Sequence, residues 1–213
     1  MRTRLLVLNL QGLLQENRWR EFLPELPQAR QRRVLSCRKE EDAARLTGAG
    51  LLLRRALMDA GIPAENQIFS ENEWGKPYLP GGPEFSLSHA GAFAVCALDA
   101  FPVGADVETA RITGAVAERF FHPDEVSFLQ TLPVFEQADA RLRLWTAKEA
   151  YTKYLGGGLH VPFSSFCVRL TENGASLELP ENVPFLHEYR LGGCRLCLCS
   201  RGERPELEFV SIK

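Results

Sequence analysis

The chain opens on an apolar run, Leu5-Leu6-Val7-Leu8, preceded by Met1-Arg2-Thr3-Arg4 and followed by Asn9-Leu10, which reads as a first strand. A Pro- and Arg-rich stretch follows from Leu23 to Arg38. From about Glu41 to Ala60 the period changes. Acidic residues fill the first turn, Leu46, Leu53 and Leu57 recur at helical spacing and Gly61 supplies a stop, so a helix is predicted there. Gly75-Lys76-Pro77-Tyr78 and Pro80-Gly81-Gly82-Pro83 read as turns. Phe85-Ser86-Leu87-Ser88 alternates like a strand. The run from Phe93 to Leu98 is its hairpin partner, with His89-Ala90-Gly91-Ala92 as the turn between them. After Asp106 the pattern restarts, with a helical stretch near Pro123 to Leu129. A longer helix runs from about Ala138 to Leu155 and stops at Gly156-Gly157-Gly158. Strands are predicted near Ser165 to Leu170, Ala175 to Leu179, Cys194 to Ser200 and Glu206 to Ile212. Each half offers one major helix and several strands. The expected fold is therefore α+β: two similar halves, residues 1–103 and 104–213, packed as one unit with a ligand cleft between them.

Composition changes this picture little. The 213 residues are 45% hydrophobic and 24% charged, ordinary for a globular protein. A net charge of -2 gives no overall field to draw in nucleic acid. Locally, Arg30, Arg32, Arg33, Arg38 and Lys39 form a basic cluster; a solvated helix face explains it most simply, and a phosphate site is the alternative. The opening apolar run is too short for a signal core and nothing approaches a membrane-spanning length, so a cytoplasmic protein is expected. Of the six cysteines, Cys194, Cys197 and Cys199 tempt a metal reading. On a strand, however, Cys197 and Cys199 share one face and Cys194 the other, and opposed side chains chelate poorly. Buried, reduced thiols are expected.

The chemistry concentrates in two segments. In Val103-Gly104-Ala105-Asp106-Val107-Glu108 two carboxylates on alternate residues point to one face of an extended chain. They end a strongly apolar stretch, where idle surface acids are unexpected. In Trp145-Thr146-Ala147-Lys148-Glu149-Ala150-Tyr151-Thr152-Lys153 a third carboxylate lies between two lysines. Glu149 and Lys153 stand four apart, so an ordinary helix ion pair worth about 0.3–0.5 kcal/mol is the plain alternative. Asp106, Glu108 and Glu149 would together suit Mg²⁺, which takes few protein ligands and leaves room for substrate phosphates. Lys148 and Lys153 would add positive charge for phosphate oxygens. Ser88-His89, read as a strand turn, would offer a hydroxyl and N–H groups to an anion, against the plainer reading of a surface turn histidine. No Gly-x-Ser-x-Gly elbow, Walker loop or dinucleotide fingerprint is present.

In this order, Gly75-Lys76-Pro77, Phe85-Ser86-Leu87-Ser88-His89, Gly104-Ala105-Asp106-Val107-Glu108, Phe120-Phe121-His122-Pro123-Asp124-Glu125 and the segment Trp145 to Lys153 resemble the 4′-phosphopantetheinyl transferases. Length and layout are similar to the Sfp type rather than to the shorter holo-acyl-carrier-protein synthases, which assemble their sites between subunits. The motifs span about Arg30 to Gly158. The resemblance implies a pseudo-twofold monomer that binds coenzyme A in the cleft and transfers its phosphopantetheine arm to a serine of an acyl or peptidyl carrier protein, releasing 3′,5′-ADP. It implies Mg²⁺ on Asp106, Glu108 and Glu149 with the pyrophosphate, Mn²⁺ being the alternative. It gives Lys153, with help from Lys148, the phosphates, and Ser88 and His89 phosphate oxygens, His89 nearest the 3′-phosphate. Gly75, Lys76 and Pro77 would line the adenine end, Arg45 matches a family arginine in the first long helix, and Arg30 and Arg33 match basic residues for the 3′-phosphate.

In that mechanism Glu149, or a water on the metal, takes the proton of the carrier serine, and Lys153 stabilises the crowded oxygens. The stretch Arg111 to Phe135, rich in Phe120, Phe121, Phe128, Leu129, Leu132, Val134 and Phe135, is the expected docking surface, with core packing of the phenylalanines as the alternative. A metal-dependent phosphodiesterase and a non-catalytic coenzyme A-binding protein are the rival readings.

Overall fold

Alternation along the strands sorts the apolar side chains into three clusters, and the clusters set the layers. The computed structural model describes residues 2–109, 111–172, 174–179 and 184–212. Its strands are β1 (Arg4–Asn9), β2 (Ser70–Glu71), β3 (Pro77–Tyr78), β4 (Glu84–Ala90), β5 (Phe93–Asp99), β6 (Gly104–Glu108), β7 (Val168–Thr171), β8 (Gly174–Leu177), β9 (Phe185–Leu191), β10 (Cys194–Ser200) and β11 (Leu207–Val210). Its α-helices are α1 (Gln11–Leu14), α2 (Trp19–Phe22), α3 (Gln28–Leu35), α4 (Glu40–Asp59), α5 (Gly114–Phe120), α6 (Pro123–Thr131) and α7 (Val134–Tyr154). One sheet has the order β11-β1-β5-β4 and a second the order β6-β10-β9.

Leu6, Leu8, Ala94, Cys96 and Leu98 on one face of the first sheet pack under α4, against Leu52, Leu53, Ala56 and Leu57. The opposite face carries Leu5, Val7, Val95 and Ala97. It meets Ala105, Val107, Leu196 and Leu198 of the second sheet. The outer face of that sheet carries Cys197 and Cys199 against Leu144, Ala147, Ala150 and Tyr151 of α7. The layers are thus helix, sheet, sheet, helix, and the α+β expectation holds. The cysteines divide as alternation predicts: Cys194 lies between the sheets, Cys197 and Cys199 lie under α7, and all six are free thiols.

The sheets also meet along a seam between β4 and β6. No strand ladder joins them there. Instead Ser86 Oγ accepts from the Ala105 N–H at 2.9 Å, and Ser88 Oγ accepts from the Val107 N–H at 3.2 Å. These serines alternate on β4 and reach the alternate N–H groups of β6, a side-chain stitch in place of backbone pairing.

The structure alters several sequence expectations. The hairpin turn is only Gly91-Ala92, because Ala90 pairs with Phe93; Gly91 has φ +54°, which glycine adopts freely. Ser88 and His89 therefore lie within β4 and are not turn residues. Several elements were not anticipated: α1, α2, the short pair β2 and β3 where a turn was expected, α5, and β9 at the edge of the second sheet; α3 carries Arg30, Arg32 and Arg33 of the cluster expected on a solvated helix face. The boundary at 103/104 falls between β5 and β6, but the chain does not end in the second half. β11 returns to the first sheet and pairs in parallel with β1, Leu5 opposite Leu207. Met1, expected in the first strand, lies outside the described residues.

Candidate active site

Gly104 fixes how closely α7 approaches β6. A Cβ on this residue would stand 1.9 Å from the Ala150 carbonyl oxygen and 2.4 Å from the Tyr154 amide nitrogen, both backbone atoms, so only glycine fits. Two residues on, Asp106 points to the same face, and α7 brings Lys153 to it: Lys153 Nζ lies 2.7 Å from Asp106 Oδ1. Ser88 Oγ donates to the same oxygen at 2.8 Å. The other oxygen, Oδ2, is buried and has no hydrogen-bond partner. Glu149 lies one turn before Lys153 on α7. Burial and the negative charges of Asp106 and Glu108 push its carboxyl from the ordinary 4.5 up to about 7, with Lys153 pulling the other way. The three acids thus share one electrostatic neighbourhood.

They do not close into a chelate. Glu108 Oε1 accepts from the Thr109 N–H at 2.7 Å, and Lys153 sits on Asp106. Among the described residues, the His, Cys, Asp and Glu side chains whose ligand atoms lie within 4.8 Å of one another are His122, Asp124 and Cys167. Two of the trio belong to a helix cap: His122 Nδ1 accepts from the Asp124 N–H at the start of α6, where the helix dipole disfavours a cation. The acidic site fits a divalent ion better. An orphaned carboxylate oxygen and a carboxyl lifted by like charges would both be relieved by one.

Beside this cluster a cleft of about 410 Å³ opens between the two halves. Arg30, Arg33, Lys76, Ser88 and His89 come from the first half, Lys153, Gly156 and Gly158 from the second; Leu46, Phe85 and Leu87 form an apolar wall. The cleft is cationic. Arg30 keeps its stem over Gly50, where a Cβ would lie 2.5 Å from its Cδ, and its Nη1 makes only a 3.4 Å bond to the Leu46 carbonyl. Burial and then Arg33 lower its pKa. Burial lowers His89, and Lys153 and Arg45 lower it further. Burial also lowers Lys76, with Lys153 adding to it and Glu84 opposing. Positive groups crowded out of water in one cleft, with no acid among its lining residues, are arranged for a polyanion.

Of the predicted residues, the structure brings Arg30, Arg33, Gly75, Lys76, Pro77, Ser88, His89 and Lys153 to the cleft and sets Asp106, Glu108 and Glu149 beside it. Lys148 is a correction. It is fully buried on another face of α7, paired with Glu125 at 2.8 Å and donating to the Phe163 and Phe166 carbonyls. It cannot reach a phosphate. The Ser88 hydroxyl is engaged with Asp106 and Val107 and holds the acid rather than standing free for an anion. Arg45 stands at the margin, bonded to Asp42 and to the Gly91 carbonyl of the hairpin turn. Trp74 was not anticipated. It lines the cleft, and its ring packs against that of His160 with centroids 4.7 Å apart; its place beside Gly75-Lys76-Pro77 was the available signal. In the stretch 111–135 the apolar residues divide: Phe121 and Leu129 are core, whereas Phe120 and Phe128 are exposed and Val134 and Phe135 are each 83% exposed.

The chain is similar in sequence to known proteins. The model of the 4′-phosphopantetheinyl transferase superfamily matches residues 102–193, a span containing Asp106, Glu108, Glu149 and Lys153. A 4′-phosphopantetheinyl transferase of Bacillus subtilis is 40% identical over 153 residues, 68% of each chain. The ffp transferase of the same species is 37% identical over 80% of this chain and 81% of its own. The transferase Sfp of B. subtilis strain 168 is 36% identical over 77% of this chain and 78% of its own. With that identity sustained over most of the length of both partners, the chain belongs to the 4′-phosphopantetheinyl transferase superfamily.

Proposed function

We propose that the protein transfers 4′-phosphopantetheine from coenzyme A to a serine of an apo carrier protein. The observation that carries this reading is a cationic cleft that reaches Lys153, with Asp106 and Glu149 beside that lysine. The nucleotide end of coenzyme A seats against Trp74, Gly75 and Pro77. Arg30, Arg33 and His89 receive the 3′-phosphate, and Lys153 faces the pyrophosphate. Asp106, Glu108 and Glu149 would hold Mg²⁺. That ion, when bound, offsets charge on the pyrophosphate and on the departing nucleotide. The serine oxygen forms a bond to the phosphorus that carries the pantetheine arm, and the bond from that phosphorus to the bridging oxygen breaks, releasing 3′,5′-ADP. The serine proton passes to a Glu149 carboxylate oxygen. Lys153 compensates the growing charge by exchanging its contact with Asp106 for phosphate oxygens.

Both walls of the cleft come from one chain, which supports action as a monomer. Arg111 to Phe135 is the carrier docking surface in this reading. Exposed Phe120, Phe128, Val134 and Phe135 supply apolar contact, and Arg111 and Arg119 supply charge for an acidic partner.

Incubation with coenzyme A, Mg²⁺ and an apo acyl carrier protein tests the proposal by mass spectrometry. The expected result is a carrier heavier by one phosphopantetheine, abolished by a chelator. Hydrolysis of coenzyme A without carrier modification would point to a phosphodiesterase. Coenzyme A binding with no product would point to a non-catalytic binder.

A further inference from the structure

We propose that Asn72 is a positioning residue for Lys153. Together with Lys76 it clamps the turn that lines one end of the cleft onto the end of α7, so seating a ligand on the turn also steadies the lysine beside Asp106. This inference rests on the transferase reading above.

The turn is closed by its own backbone: Asn72 N–H donates to the Lys76 carbonyl at 3.0 Å and Gly75 N–H to the Asn72 carbonyl at 2.9 Å. Asn72 Oδ1 then accepts from the N–H groups of Trp74 and Lys76, at 3.0 and 2.8 Å. One side-chain oxygen thereby holds both Trp74 and Lys76 of the turn. The amide nitrogen of the same side chain looks the other way. Nδ2 donates to the Gly156 carbonyl at 3.0 Å, 84 residues along the chain and just past α7. Lys76 Nζ donates to the Lys153 carbonyl at 2.9 Å and, at 3.4 Å, to that of Val103.

The last carbonyls of a helix have no partner inside the helix, and a cation is favourable there. In α7 the Lys153 carbonyl accepts from the Gly156 N–H at 3.1 Å and, from the first half of the molecule, from the Lys76 ammonium. Lys153 is thus held at both ends, its carbonyl on Lys76 and its ammonium on Asp106. Trp74, Gly75, Lys76 and Pro77 line the cleft, and Asn72 does not. The ligand therefore touches the turn while Asn72 touches the helix end, which lets the two roles be separated by mutation.

The test uses Asn72→Asp, which keeps the acceptor oxygens of the turn and loses the donor to Gly156, with Asn72→Ala as a second variant. Carrier modification should fall about ten- to a hundredfold in kcat, the scale of a small misplacement of a reacting group, while the KM for coenzyme A changes much less. In a Lys153→Ala background the same substitution should add almost nothing, because its effect runs through Lys153. A change confined to KM, or losses that multiply in the double variant, would overturn the clamp. Hydrogen exchange at Leu155 and Gly156 needs neither coenzyme A nor carrier; faster exchange in both Asn72 variants is expected, and unchanged exchange refutes the clamp. If the unmodified protein transfers nothing, the transferase reading fails while this measurement still decides the clamp.

Discussion

At the scale of the residue, Glu149 carries the site's largest electrostatic cost. Its pKa is raised to about 7, so the folded protein holds this proton more tightly than the unfolded chain. The resulting stability is complete below the ordinary 4.5 and is lost as pH rises through about 7. In chelator at about pH 8, Glu149→Gln should therefore melt higher than the unmodified protein, and the two should converge only as pH falls below the ordinary 4.5. Divalent ion should stabilise the unmodified protein at the higher pH and not the variant. Transfer should nearly vanish in Glu149→Gln with coenzyme A binding retained; near-normal turnover would remove this carboxylate from the mechanism. Lys148 is the opposite case. Lys148→Ala strands Glu125 in the core and should destabilise by about 3–5 kcal/mol with little change in coenzyme A affinity, seen as a lower urea midpoint beside an unaltered binding isotherm. Its misplacement was avoidable from the sequence. Glu149 and Lys153, four apart, share a helix face, whereas Lys148 precedes Glu149 by one residue and turns away from it. The grip of Ser88 on Asp106 was not legible, because alternation tells which face a serine takes but not what lies across the seam.

At the scale of the element, α4, α7 and the β4–β5 hairpin were readable because long apolar periods and glycine stops mark them. α3 was legible only as a solvated face around its arginines and its bounds were not, since Val34 alone is buried along it. β9 was missed because charged residues break its alternation. The contact of α7 with β6 depends on Gly104. Gly104→Ala must push two backbones apart, so it should lower the melting temperature and carry Lys153 away from Asp106, reducing transfer more than coenzyme A binding; an unchanged kcat would deny that this contact sets the site. On α5, Arg119→Glu should raise the KM for an acidic carrier and leave that for coenzyme A alone. Equal carrier KM values would move docking elsewhere.

At the scale of the whole molecule, charge is local rather than global. A chain of net charge -2 holds a cleft lined by Arg30, Arg33, Lys76 and Lys153. Rising ionic strength should weaken coenzyme A binding measured by calorimetry, and salt-independent affinity would contradict the polyanion role of the cleft. The α+β class was visible in the recurrence of helix and strands. The return of β11 to β1 was not, since four residues near the end of the chain give no hint of which sheet they join. That return bears on how the protein is made. During synthesis β1 emerges first, yet its outer neighbour is laid down only once residue 210 has been added. Until then the nascent first sheet exposes an unpaired strand rim, a vulnerable state on the ribosome that premature termination would make permanent.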